Sequence, residues 1–371
     1  MRLRCRKFEI PEFVIIFSFL TFFVFHNLPR PPLFLLLLSL PSSPPLIATT
    51  MNASSSADKS HELVTTGVRH LSGWTDDPLT AVTFETTANG SVAIITLSRP
   101  KHRNAWTEIM RNELARCLDV ASKMKHVRCT IITGDPNGRA FCAGADLSPA
   151  NAKNPSSMQG DVPDGRQPNL SYWRDGGGTA GLAIMRSTKP VIAAINGAAV
   201  GIGMTLPLAC DISIANEDAK VGFVFGKRGL TMECLSSTLL ERCVGHKKAM
   251  ELVLTGRVFR ARDAPAGLFN YTVPADQVLS KALEICTEIC ETSPISSMLN
   301  RNMIIRNSGM SPEEAHLIES KSIYWVGRQA DCKEGIQSFL EKRPPNYPMD
   351  AHGDAPEWFP WWREISTKSK L

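Results

Sequence analysis

Two runs of small residues could do chemistry through their backbone. Residues 140–147 read AFCAGADL, and residues 196–204 read NGAAVGIGM. Each follows a short apolar run, residues 129–133 and 191–195, that reads as a buried strand. In the second run Gly197, Gly201 and Gly203 let backbone approach a ligand or another segment closely. Residues 204–210 then read as an apolar helix with Pro207 near its start. Strand, glycine turn and helix N-terminus gather N–H donors in front of the positive end of a helix dipole. Two such donors aimed at one oxygen form an oxyanion hole, often the largest single term in stabilising an enolate-like transition state. Either run alone is equally well explained by tight helix–sheet packing. The spacing is not that of a GxxxxGK[ST] phosphate loop, and it fits GxGxxG poorly.

The elements that must hold these turns follow from periodicity. Residues 82–84 and 92–97 read as strands joined at Asn89-Gly90, a hairpin signal. A loop at 99–105 leads into a helical pattern at 106–122. Residues 148–178 are rich in Pro, Gly, Asn and Asp and read as a long surface loop. Residues 181–187 read as a helix, 211–215 as another buried strand and 271–273 as a brief one. Helices are expected at 236–244, 247–255, 261–266, 278–291, 296–307, 312–326 and 331–342. Strands alternating with helices, then helices alone, predict α/β layers with a helical C-terminal part.

Composition removes several function classes. The 371 residues are 43% hydrophobic and 21% charged, ordinary for a globular core. The net charge is +5; residues 1–50 hold five basic and two acidic groups, leaving +2 for the rest. That balance, with no basic stripe of interleaved aromatics, argues against a nucleic-acid partner. Ten cysteines are scattered without a CxxC pair, which suits reduced intracellular thiols and gives no metal site.

In combination, SRPKHRNA, GRAFCAGADL, KPVIAAINGAAVGIGM, CDISIA, LTGRVFRARDA and FLEKRPPNYP resemble the crotonase (enoyl-CoA hydratase/isomerase) superfamily over residues 79–348. The resemblance implies an α/β fold: a crotonase-like ββα spiral core at 79–275 and a C-terminal helical trimerisation region at 276–345. It further implies an acyl-CoA substrate, no cofactor beyond that coenzyme A, no metal, and a homotrimer or homohexamer. By position, the oxyanion donors would be the backbone N–H groups of Cys142 and Ile202. Arg99, Lys101, Arg103 and Ala105, with Ala143, Gly144, Ala145, Asp146 and Leu147, would line the path of the coenzyme. Gly201, Thr205 and Phe225 would complete the substrate-binding set.

Hydratases of this family use two glutamates, and the matching positions here hold Thr205 and Phe225. One acid remains in the right region, Glu233, where the Δ3,Δ2-enoyl-CoA isomerases carry their single catalytic glutamate. Its neighbours Leu230, Met232 and Leu235 are apolar, and such surroundings raise a carboxyl pKa toward operating pH. The expectation is an isomerase that shifts a 3-enoyl-CoA double bond to 2-enoyl-CoA through Glu233. The alternatives are a hydratase or dehydratase in which Thr205 orients a water, and a non-catalytic acyl-CoA-binding homologue.

The ends of the chain point two ways. Residues 1–50 hold Arg2, Arg4, Arg6 and Lys7 before an apolar run at 13–25, like a targeting leader, but too short for a stable membrane span. The chain ends Ser369-Lys370-Leu371, a peroxisomal address read by an import receptor. Met51 offers an alternative start, so the expected location is the peroxisome. Residues 51–78 read as a flexible lead-in and 346–371 as a tail, with Trp358, Trp361 and Trp362 packing against a subunit or lid.

Overall fold

The computed structural model describes residues 78–148 and 174–362. The leader, most of the lead-in, the segment 149–173 and the Ser369-Lys370-Leu371 terminus lie outside the described residues.

Strands β1 (Val82–Thr86) and β2 (Val92–Leu97) form the expected hairpin, with Gly90 at φ +71° and the Asn89 side chain accepting the Ser91 N–H. Next to β2 run β3 (Cys129–Gly134), β5 (Val191–Ile195), β7 (Ile212–Asn216) and β10 (Tyr271–Val273), all parallel, in a six-stranded sheet ordered β1-β2-β3-β5-β7-β10. Both faces of the central strands are covered, which is why β3 and β5 are buried at every position.

A second, four-stranded sheet has the order β4-β6-β8-β9. Its members are β4 (Ala140–Cys142), β6 (Ala198–Val200), β8 (Lys220–Gly222) and β9 (Phe259–Arg260). Each of β3, β5 and β7 turns a corner and continues as β4, β6 or β8 in this smaller sheet. The chain therefore repeats strand, corner, strand, helix. The helices of the core are α1 (Glu108–Lys123), α2 (Gly176–Arg186), α3 (Ile202–Leu208), α4 (Ser236–Val244) and α5 (His246–Thr255). One apolar cluster fills the space between the sheets and α1–α4. A second lies on the other face of the large sheet under α6 (Val278–Cys290), with Val278, Ala282 and Cys286 fully buried.

Helices α7 (Pro294–Asn307), α8 (Pro312–Val326) and α9 (Ala330–Glu341) follow α6 and precede the tail. Arg301 of α7 donates to the Asp211 carboxylate at 2.7 Å and to the carbonyls of Ile184, Met185 and Ser187 at 2.8–3.0 Å. One guanidinium thus satisfies the end of α2 and ties the C-terminal helices to the start of β7. The tail folds back: Asp350 pairs with the buried Lys189 ammonium at 2.8 Å. Burial pulls the Lys189 pKa down, against the pull of Asp350. Trp358 stacks on Trp361 at 5.4 Å and meets Trp325 of α8 edge-on at 6.5 Å, so these two tail tryptophans pack on their own chain.

Some expectations shift. The apolar helix after the second glycine run starts at Ile202 and has Pro207 near its end. Residues 261–263 make one 3-10 turn in place of a helix over 261–266. Helix α2 begins at Gly176, inside the stretch read as loop. Among the described residues no helix is long and apolar enough to cross a membrane.

Candidate active site

A cavity of about 420 Å³ opens where the ends of β4 and β6 meet the first turns of α2 and α3. Its walls come from residues 143–147 after β4, from 200–202 between β6 and α3, from 224–233 after β8, and from 175–177 at the start of α2. Trp106 pins the first wall: its N–H donates to Gly144 at 2.8 Å and its carbonyl accepts from Asp146 at 3.0 Å. The turn into α3 depends on Gly201, at φ +57° and ψ −125°, a conformation that glycine alone adopts readily.

Glu233 lines this cavity among Ile202, Phe225, Leu230 and Met232. Thr205 Oγ1 donates to Glu233 Oε1 at 2.7 Å. The other oxygen lies against Gly177, where an added Cβ would stand 1.3 Å from Oε2. Burial pushes the Glu233 carboxyl up to about 7; the Thr205 hydroxyl opposes this, and the charge of Asp175 adds to it. Directly after it, Cys234 and Leu235 sit at φ +56° and +61°, left-handed backbone that side chains disfavour. Such strain persists where the surroundings fix it, as the buried Cys234 and the Ser236 Oγ donating to the Glu233 carbonyl do here.

Of the residues singled out in the sequence, Ala143, Gly144, Ala145, Leu147, Gly201, Ile202, Phe225 and Glu233 line the cavity. Others stand elsewhere. Cys142 ends β4 opposite Ala199 of β6 with no exposed surface, and the wall begins one residue later at Ala143. The Ala143 N–H reaches the Arg103 carbonyl at 3.2 Å. Burial pushes the Cys142 thiol up to about 12, which leaves it protonated and not a nucleophile.

Thr205 is fully buried behind Glu233 and does not line the cavity. It holds the carboxylate, and the expectation that it faces a substrate or a water is corrected accordingly. Arg99 and Asp146 are spent on each other at 2.8 Å, and Arg99 also donates to the Ala105 carbonyl at 2.7 Å. Burial disfavours the Asp146 charge, but the Ser148 N–H and Arg99 outweigh it and hold the carboxyl at about 2. This pair braces the loop against the cavity wall, and Ala105 is buried beneath it. Lys101 and Arg103 are exposed outside the cavity; the cation on its lining is Arg228.

Sequence reasoning passed over Asp175, Gly177, Trp106 and Arg228. For Asp175 a signal existed: an Asp before a run of glycines and then apolar residues fits a helix cap. The three glycines masked it, being poor helix formers. Among the described residues no cluster of His, Cys, Asp and Glu could hold a metal ion. A larger cavity, about 690 Å³, opens at the carboxyl ends of β2, β3, β5 and β7 and does not include Glu233.

A family model described as enoyl-CoA hydratase/isomerase matches residues 87–349, and the chain belongs to that family. An enoyl-CoA hydratase of Alternaria alternata is 38% identical over 269 residues, 72% of this chain and 86% of that one. A 1,2-epoxyphenylacetyl-CoA isomerase of Escherichia coli is 33% identical over 258 residues, 69% of this chain and 94% of that one. Among solved structures, an enoyl-CoA hydratase from Bacillus anthracis aligns with a TM-score of 0.63 at 30% identity, covering 72% of this chain and 99% of that one.

Proposed function

We propose that this enzyme shifts the double bond of a 3-enoyl-CoA to the 2-position, with Glu233 as the group that carries the proton. The observation behind this reading is one half-buried carboxyl, poised near pH 7, on the wall of a largely apolar cavity, while Thr205 and Phe225 stand where a hydratase would carry its glutamates. The thioester oxygen would accept the N–H of Ile202, the first helical residue of α3, and that of Ala145 on the cavity wall, which the bridge to Trp106 leaves unused. The first N–H groups of a helix lack intrahelical partners, so Ile202 has a donor to offer. Charge drawn onto that oxygen acidifies the C2 proton. Ionised Glu233 takes it, a dienolate forms, and the same carboxyl returns the proton at C4. One base on one face suffices for this shift, and no cofactor enters it. Arg228 at the mouth is placed to meet a phosphate of the coenzyme.

Water addition to a 2-enoyl-CoA is the second reading, favoured by the hydratase names of two of the matched proteins. A homotrimer is part of the proposal. Ile304 on α7, Leu317 and Ile323 on α8, and Phe339 and Leu340 on α9 are each 71–80% exposed, apolar surface that partner copies would cover. A peroxisomal location is proposed from Ser369-Lys370-Leu371.

A spectrophotometric assay with 2-enoyl- and 3-enoyl-CoA tests the reaction directly. Glu233→Gln, which keeps size and polarity, should lower isomerisation at least about 100-fold, the low end for losing a general base. Binding of acyl-CoA should survive. A variant that keeps most of its rate returns Glu233 to a structural role and gives the proton transfer to another group; an unaltered protein that binds acyl-CoA but turns over neither substrate is a non-catalytic homologue.

A further inference from the structure

Helix α2 opens with Gly176, Gly177 and Gly178, an expensive start, since each glycine costs about 1 kcal/mol against alanine within a helix. Two of them have the same explanation. A Cβ at Gly177 would stand 1.3 Å from Glu233 Oε2, and a Cβ at Gly178 would stand 2.6 Å from Asp175 Oδ2. Successive glycines thus leave seats for two carboxylates at one helix end. Both Asp175 and Glu233 line the 420 Å³ cavity. Asp175 spends Oδ1 on the Gly178 N–H as the cap of α2, and its Oδ2 has no partner among the described residues.

We propose that Asp175 is the second acid–base group of this cavity, completing with Glu233 a carboxylate pair that adds water across the 2,3-double bond of a 2-enoyl-CoA. This rests on the reading of Glu233 as the proton carrier. Ionised Asp175 takes a proton from water as the water oxygen bonds to C3. The π electrons move toward the thioester, and protonated Glu233 gives its proton to C2. Water has then been added as hydroxyl at C3 and hydrogen at C2. Asp175 ends protonated and Glu233 ionised, and exchange with solvent restores both. Neither Thr205, locked behind Glu233, nor Phe225 can take the water proton, so the role falls to Asp175.

The other groups near the pair do not compete for that role. Arg228 shares the cavity as a fixed cation, while Cys142 behind the wall and Cys234 beside Glu233 are thiols kept protonated by burial. The charge of Asp175 also helps keep Glu233 protonated near neutral pH, as a proton donor must be.

Asp175→Asn separates this role from capping, because Asn caps a helix as well as Asp does. In the full chain, with unchanged melting temperature, hydration of 2-enoyl-CoA should fall at least about 100-fold. The pH profile of 3-enoyl-CoA isomerisation should move its acid limb to lower pH, because a neighbouring negative charge is gone. A purely capping Asp175 would leave hydration unmoved, and only the acid limb would shift, since its charge acts on Glu233 in either case. Hydration by Asp175→Asn at the unaltered rate overturns the proposal, as does an unaltered protein that isomerises but does not hydrate. Glu233→Gln run alongside keeps the two ideas apart: if Glu233→Gln retains both activities, the reading of Glu233 fails, whatever Asp175→Asn does.

Discussion

At the scale of residues, the site is one carboxyl held between a donor and a glycine. Thr205 fixes one oxygen of Glu233, and the missing side chain of Gly177 gives room to the other. Gly177→Ala tests that arrangement without touching a reacting group. The new methyl meets the flexible end of Glu233, not backbone, so the chain should fold and melt within a few degrees of the parent. Turnover should fall at least about 10-fold, since a displacement near 1 Å can cost about 100-fold. Unchanged turnover in the folded variant would mean that Glu233 works from another position. Glu233 itself was legible in the sequence, as an acid among apolar residues. Thr205 was legible as a residue of the site but not in its role, because sequence does not say which way a buried hydroxyl turns.

At the scale of elements, the site depends on how closely α3 approaches the end of β4. Gly203 makes this possible: a Cβ there would lie 2.1 Å from the Cys142 carbonyl oxygen, a backbone atom that cannot swing away. Gly203→Ala should lower stability by roughly 1–3 kcal/mol, the range for overpacking, and the melting temperature by several degrees. A variant as stable as the parent would show that α3 has slack at this point.

The long apolar strands and amphipathic helices could be read from the chain because their periods are strong. The small sheet could not, since β4, β6 and β8 are three residues each and too short to show alternation. That omission explains the expectation of Cys142 on the cavity, where the structure has it buried. With β4 unseen, nothing marked Cys142 as its last paired residue and Ala143 as the first on the cavity.

At the scale of the whole molecule, buried polar ties join the C-terminal helices and tail to the core: Arg301 to Asp211, Lys189 to Asp350, and Ser293 to Asp331 at 2.6 Å. Breaking a buried pair is costly because it strands the partner charge, so this region is fixed on its inner side. Its outer side still shows Phe339, 80% exposed. Phe339→Asp should convert a trimer to smaller species in sedimentation while leaving the fold intact. An unaltered protein that sediments as a monomer would contradict the proposed assembly. The C-terminal helices themselves were plain in the sequence; that the tail would dock through Asp350 on a buried lysine was not, because such pairs join residues far apart in the chain.

The central claim is that Glu233 removes the proton in its ionised form from a site that holds its pKa near 7. The most direct measurement is the pH dependence of kcat/KM for 3-enoyl-CoA isomerisation between pH 5 and 9. A raised pKa means that the base is protonated and idle below 7. The account therefore predicts a rate that climbs about tenfold per pH unit on the acid side, bends near 7 and is level above it, with the bend absent in Glu233→Gln. A profile already level at pH 5.5, or one whose bend survives in Glu233→Gln, would contradict it.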